Sequence, residues 1–256
     1  MPSSSLQITL TALPDIPLIQ PGDDLVAITL AGLARAGLTL ADGDVLVAAS
    51  KIISKAEGRL VRLAEVAVTP EAEALASVID KDPRLVTLIL AESAAVLRTR
   101  PGLIIVEHRL GFVCANAGID RSNVAGEEVA LLLPADPDAS ARRLREGLRA
   151  ATGADIAVVI NDSHGRAWRL GTVGVAIGVA GLLPLTDRRG DADLFGRELR
   201  VTVLGAADEI AAAASLLQGG ADEALPLVHM RGVPYAPGDG RLQDLLRPKA
   251  MDLFRK

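Results

Sequence analysis

The residues that could do chemistry fall into three polar stretches, each following an apolar run. One is Asn161-Asp162-Ser163-His164-Gly165-Arg166-Ala167-Trp168-Arg169. Here an acid and a hydroxyl could meet Mg²⁺ or Mn²⁺, which take oxygen ligands, while the arginines take anionic charge. The stretch suits metal-bound phosphates. Its tryptophan, the only one in the chain, reads either as a core anchor or as a shelf for a planar ligand. A second stretch is Ala117-Gly118-Ile119-Asp120-Arg121-Ser122-Asn123. Its carboxylate, hydroxyl and amide suit a hard cation or a polar ligand, or form an Asx-turn that bonds its own backbone. A third, Ser50 to Arg59, offers Lys55 to neutralise a phosphate and Ser50 to donate a hydrogen bond, or is a solvated strand end.

The combination says more than its members. Asp120 and Asp162 are the two acids best placed to share a cation cluster, and neither comes with a His/Cys pattern. His108, His164 and His229 show no ligand spacing and read as surface or packing residues. Other chemistries are missing their signatures. The chain has no G-x-x-x-x-G-K-[ST], no G-x-G-x-x-G after a strand and no G-x-S-x-G elbow. Cys114, the single cysteine, has no evident catalytic partner and rules out a disulfide framework or a thiolate zinc cluster.

The elements that must position these residues alternate irregularly. A strand is expected at Leu6–Leu10, then a proline-ordered loop from Leu13 to Gly22. Asp23 caps a helix running to about Ala36, and a buried strand covers Asp44–Ala49. Helices are expected at Pro70–Ile79 and Pro83–Glu92, with short strands near 95–98, 103–107, 111–114 and 129–133. Asp136-Pro137 opens a helix to about Ala151. Ala154–Ile160 is the strongest strand. In the glycine-rich run that follows, Gly171, Gly174, Gly178 and Gly181 read as sites of close backbone packing. A strand at Leu199–Leu204, a helix at Ala206–Leu217, a strand at Pro226–Arg231 and a short helix from Arg241 complete the chain. This order predicts α+β rather than a regular parallel sheet.

Length and composition agree. The chain has 256 residues, half of them apolar, so a sizeable core can form. Only five residues are aromatic, so Ala, Val, Leu and Ile must build it. With 27 basic and 32 acidic residues the net charge is −5, which argues against a general nucleic-acid binder and against disorder. No leader is visible in Met1–Leu10, and Leu170–Thr186 is too glycine-rich to span a membrane. A cytoplasmic protein is expected.

Taken in order, these stretches resemble the coenzyme F420:L-glutamate ligase family, whose product is a deazaflavin cofactor. The matching residues are Gln20-Pro21-Gly22-Asp23-Asp24-Leu25, Ser50 to Arg59, Ala115 to Val124, Leu133-Pro134-Ala135-Asp136-Pro137-Asp138 and Asn161 to Arg169. The resemblance runs from near Leu13 to Arg231-Gly232.

It implies a GTP-dependent ligase joining L-glutamate to coenzyme F420-0 through an acyl phosphate, with release of GDP and phosphate. It implies two divalent ions, Mn²⁺ or Mg²⁺, together with K⁺. By motif, Asp120, Asp162 and Ser163 would bind metal. Ile16, Pro17, Leu18, Ile19, Ser50, Lys55 and Asn123 would contact GTP. Lys55 and Arg166 would take the remaining phosphate charge beside the two acids. The implied fold is a two-part α+β protomer of mixed and antiparallel sheets with flanking helices, intertwined as a homodimer. One ligase domain over residues 1–256 is expected, with two subdomains and no C-terminal nitroreductase-like domain. Gly220 departs from the pattern, since some relatives carry Glu or Gln near that position. A metal-dependent phosphohydrolase and a non-catalytic nucleotide-sensing module are the alternative readings.

Overall fold

The computed structural model describes residues 6–123, 126 and 128–253. Met1–Ser5, within the stretch read for a leader, and Val124, at the end of the Asp120 motif, lie outside these. The chain begins with β1 (Thr9–Ala12) and α1 (Leu25–Arg35). β2 (Val45–Ala49) runs straight into α2 (Ser50–Ala56), and β3 (Leu60–Arg62) follows. Then come α3 (Pro70–Ile79), α4 (Pro83–Ala91), β4 (Ser93–Arg100), β5 (Leu103–His108), β6 (Val113–Ala115) and β7 (Val129–Leu131). α5 (Pro137–Thr152) leads to β8 (Ala157–Arg166) and β9 (Arg169–Ala180). β10 (Thr186–Asp187), β11 (Val203–Leu204), α6 (Ala206–Gln218), β12 (Leu227–Arg231) and α7 (Leu242–Leu245) close the order.

The main sheet has strand order β1-β12-β2-β8-β9. Its one parallel pair is β2–β8, and the other pairings are antiparallel. A separate antiparallel sheet joins β4, β5 and β6, and two small ladders pair β3 with β7 and β10 with β11. The molecule is therefore α+β with mixed and antiparallel sheets and flanking helices.

The central strands explain the core. β2 and β8 are continuous apolar runs because both their faces are covered. On one face Leu46, Ala48, Val158 and Ile160 pack with Ala141, Leu144 and Leu148 of α5. On the other, Val45, Val47, Ala157 and Val159 meet Ala207, Ile210, Ala211 and Ala214 of α6. Each buried Val, Leu or Ile contributes about 1.5–3 kcal/mol relative to exposure. Close approach supplies what aromatic bulk does not. A Cβ added at Gly174 would stand 2.6 Å from Ala211 O, and one at Gly178 the same distance from Pro137 O. The expectation of close packing holds at Gly174, Gly178 and Gly181 but not at Gly171, where an added Cβ would meet nothing within 4 Å and the residue instead takes a positive φ of 79°.

The helix ends follow their caps. Asp136 Oδ1 accepts from Ala139 N at 2.9 Å, Pro137 fills the first helical position, and Gly153 closes α5 at φ 78°. Other details differ from expectation. β1 starts at Thr9, not Leu6, since its pairing with β12 sets the register. α1 is capped by Asp24, whose Oδ1 accepts from Val26 N and Ala27 N, while Asp23 accepts from Gln20 N. The expected strand at Leu199–Leu204 shrinks to Val203–Leu204.

Two of the three polar stretches are not loops. Ser50–Ala56 is helical because Ile52 and Ile53 turn inward to the core. Asn161–Arg166 continues β8 beyond its buried half as a hairpin with β9, pairing Asp162 with Val175 and His164 with Val173. Trp168 sits in the turn of that hairpin at φ 58° and is 82% exposed, so it is no core anchor. Among the described residues no helix is long and apolar enough to cross a membrane.

Candidate functional site

β2 and β8 run parallel with Ala49 opposite Asn161, so Ser50 and Asp162 emerge side by side where β2 ends and its pairing with β8 stops. Neighbouring parallel strands commonly present ligand sites at that end. Ser50 Oγ donates to Asp162 Oδ1 over 2.8 Å, across 112 positions of sequence. Strand alternation then sorts the rest of β8. Asp162 and His164 share a face, and His164 Nε2 lies 3.0 Å from Asp162 Oδ2. Asn161 and Ser163 take the opposite face. There Asn161 Nδ2 donates to Gln218 Oε1 of α6 at 2.5 Å.

The turns of α2 hold the second acid. Lys51 Nζ is 2.8 Å from Asp120 Oδ2 and donates to Ser122 Oγ at 2.9 Å. One turn on, Lys55 Nζ donates to Asn123 O at 2.7 Å. The Asp120 loop also braces itself, because Ser122 N donates to Asp120 Oδ1 at 2.6 Å. This is the Asx-type bond that the sequence left open, and it coexists with the ion pair. Asn123 Nδ2 donates to Ala221 O at 2.8 Å, which ties in the segment after α6. Consecutive residues, Ser50 and Lys51, thus each hold one of the two acids.

Charge follows from these contacts. Burial works to raise the Asp120 carboxyl, but the bonds from Lys51 and Ser122 outweigh it and leave it below the ordinary carboxylate range. Lys55 is lowered, chiefly by burial and then by the like charge of Lys51, against an opposing pull from Asp120. Burial, followed by the charge of Asp162, pushes the Cys114 thiol up to about 12, so it offers no thiolate. The ligand atoms near this point are therefore hard oxygens, with the His164 imidazole beside Asp162. Among the described residues no three of His, Cys, Asp and Glu gather round one point. Mg²⁺ characteristically takes one or two carboxylates and completes its shell with phosphate oxygens and water. Asp120 and Asp162 each offer a carboxylate, that of Asp120 already engaged by Lys51 and Ser122.

Other expected residues lie elsewhere. Ser163 is exposed on the far face of β8 from Asp162. Arg166 is four residues along the strand, about 13 Å away at ~3.3 Å per residue, and donates to Leu170 O. Ile16 and Ile19 pack against the core while Leu18 is exposed. Their loop shares the buried cluster of Ile52 and Ile53 of α2, and Gly22 N donates to Ala56 O at the end of that helix. Of the three histidines, His108 and His229 are buried, the latter against Asp44, as packing residues should be. His164 is instead beside Asp162.

Sequence reasoning overlooked Lys51 and His164 as partners of the acids. The signals were there: Lys51 and Lys55 are four apart, one helical turn, and Asp162 and His164 are two apart, one strand repeat. Both signals needed the right secondary structure. Two surface clefts, about 510 Å³ beside α3 and α4 and about 320 Å³ between α1, α2 and α5, include neither acid.

Comparison with known proteins bears on the chemistry. Residues 15–232 match the family model described as F420-0:Gamma-glutamyl ligase. A coenzyme F420:L-glutamate ligase of Methanothermobacter thermautotrophicus is 48% identical over 250 residues, covering 97% of this chain and 99% of the relative. Proteins of the same description from Methanopyrus kandleri and Archaeoglobus fulgidus are each 45% identical, over 93% and 94% of this chain and of the relatives respectively. With that match across nearly its whole length, the chain belongs to the F420-0:gamma-glutamyl ligase family.

Proposed function

We propose that the chain joins L-glutamate to coenzyme F420-0 at the expense of GTP, which leaves as GDP and phosphate. The observation that carries this reading is the paired clamp on α2, with Ser50 on Asp162 and Lys51 on Asp120, in a chain of this family. A carboxylate is a poor electrophile, and amide formation in water is unfavourable. Transfer of the γ-phosphoryl group to the substrate carboxylate gives a mixed anhydride that the glutamate amine can attack, expelling phosphate. No protein nucleophile is required.

Asp120 and Asp162 would hold the divalent ions, Mg²⁺ or Mn²⁺. These supply screening of the triphosphate charge as an anion approaches it. K⁺ would accompany them. Lys55, whose ammonium sits over the Asp120 loop, would bear part of the phosphate charge. Ser50 and Asn123 would frame the nucleotide with Ile16–Ile19. Ser163 and Arg166 could join only from the outer part of the β8–β9 hairpin. Preorganised charges of this kind commonly contribute ~3 kcal/mol each to the transition state.

A homodimer fits the surface. Leu170, Leu194, Phe195 and Val201 are at least 81% exposed, on the hairpin and the segment between β10 and β11. Apolar surface of that kind suits a second copy. Light scattering should return twice the chain mass.

The deciding experiment mixes protein, GTP, Mn²⁺, L-glutamate and coenzyme F420-0 and follows products by mass spectrometry. A mass gain of one or more glutamyl units with equal GDP release is expected. GTP cleavage that ignores glutamate would make the chain a phosphohydrolase, and nucleotide binding without turnover would make it a sensing module.

A further inference from the structure

Asp162 is gripped on both oxygens, and one of the two grips is itself packed on a segment outside the main sheet. Ser50 Oγ–H donates to Oδ1 and His164 Nε2 faces Oδ2 at 3.0 Å. In the tautomer that carries its proton on Nε2, the imidazole donates to this oxygen. The His164 ring packs on Phe112, with centroids 5.2 Å apart at an interplanar angle of 48°. Phe112 in turn stacks on His108 at 5.1 Å, within 6° of parallel.

His108 ends β5 and Phe112 lies in the turn between β5 and β6, both outside the main sheet. That turn is locked by its own bonds. His108 N donates to Phe112 O and Gly111 N donates to His108 O, both at 2.8 Å. Leu110 N donates to His108 Nδ1 at 3.0 Å. Both rings are buried, His108 at 2% exposure and Phe112 at 8%. The stack therefore has a fixed base and ends on the imidazole that touches Asp162.

We infer that His164 is a positioning residue for Asp162, and that Phe112, carried on the β5–β6 turn, sets the orientation of its ring. This rests on the reading that Asp162 serves the nucleotide and its metal. A free imidazole explores two side-chain torsions, and packing against Phe112 removes that freedom before any ligand arrives. With one donor on each oxygen, the carboxylate keeps a fixed plane and presents its remaining lone pairs in fixed directions. Asp162 and His164 are one strand repeat apart on the same face, so the pair needs no loop to form it.

The test compares His164→Ala, His164→Gln, Phe112→Leu, the double variant His164→Ala/Phe112→Leu and Asp162→Asn. Mn²⁺ affinity in the presence of a non-hydrolysable GTP analogue is read by electron paramagnetic resonance, alongside kcat and KM for GTP. Loss of such an orienting partner typically weakens metal affinity or activity by roughly 10–100-fold, which is expected for His164→Ala. His164→Gln, whose amide N–H can reach the same oxygen, should recover most of the loss. Phe112→Leu keeps an apolar filler but no ring face and should cost about 3-fold or more, and that cost should vanish in the His164→Ala background. A wild-type Mn²⁺ affinity in His164→Ala overturns the inference. So does failure of His164→Gln to rescue, or a Phe112→Leu effect that persists unchanged without His164. Asp162→Asn with wild-type Mn²⁺ affinity would instead overturn the assignment of Asp162 to the site.

Discussion

Asp162→Asn changes one carboxylate oxygen into an NH₂ group at nearly constant volume. Ser50 can still donate to the oxygen that remains. The other contact reverses: His164 Nε2, 3.0 Å from Oδ2, then meets a donor instead of an acceptor. Both side chains are mostly buried, at 11% and 16% exposure, so solvent screens the change little. A hydrogen bond to a charged group contributes about 1.5–3 kcal/mol, and a tautomer change at His164 recovers part of it. A net loss of about 1 kcal/mol lowers Tm by about 2–4 °C in a chain of this size. The catalytic loss is larger. If Asp162 carries ~3 kcal/mol of transition-state stabilisation, its removal slows ligation on the order of 10²-fold. Circular dichroism melts and mass-spectrometric ligation across a Mn²⁺ series measure the two effects separately. Ligation within about 3-fold of wild type, with unchanged Mn²⁺ dependence, would refute the reasoning, since 3-fold is well under 1 kcal/mol.

Lys55→Ala should raise KM for GTP about 10-fold, the effect of losing one charged hydrogen bond, while Tm moves little because among the described residues its hydrogen bond is to Asn123 O. An unchanged KM would remove Lys55 from the nucleotide site. Gly178→Val should destabilise by about 1–3 kcal/mol, because the first added carbon already meets the Pro137 backbone at 2.5 Å; urea unfolding measures this. Burial, the largest influence, lowers His108 from 6.5 to about 4, so the unfolded chain takes up a proton in that window and the folded one does not. Stability should therefore be complete above pH 6.5 and fall as pH drops from 6.5 towards 4. In His108→Phe the part of that slope due to this residue should be absent, and identical pH–stability curves for the two proteins would contradict it.

Much was legible along the chain where a local device decides the outcome. Asp136-Pro137 with Gly153 marked both ends of α5, because caps act within four residues. The apolar runs of β2 and β8 announced buried strands, and Gly174 and Gly178 of β9 announced close packing. The acids Asp120 and Asp162 stood out because each interrupts apolar sequence with oxygen ligands. Family resemblance reached the same residues by motif.

What tertiary structure alone decided was where those side chains point and what holds them. Ser50–Ala56 became a helix because Ile52 and Ile53 found a core to bury in, and only then did Lys51 and Lys55 fall on one face above the Asp120 loop. Asn161–Arg166 stayed extended because β9 was available to pair with it, and that alternation parted Asp162 from Ser163 and joined it to His164. Cap and strand signals are short-ranged, so sequence can display them. The Ser50–Asp162 bond spans 112 positions, and no local rule carries that far: it exists because two parallel strands share one register.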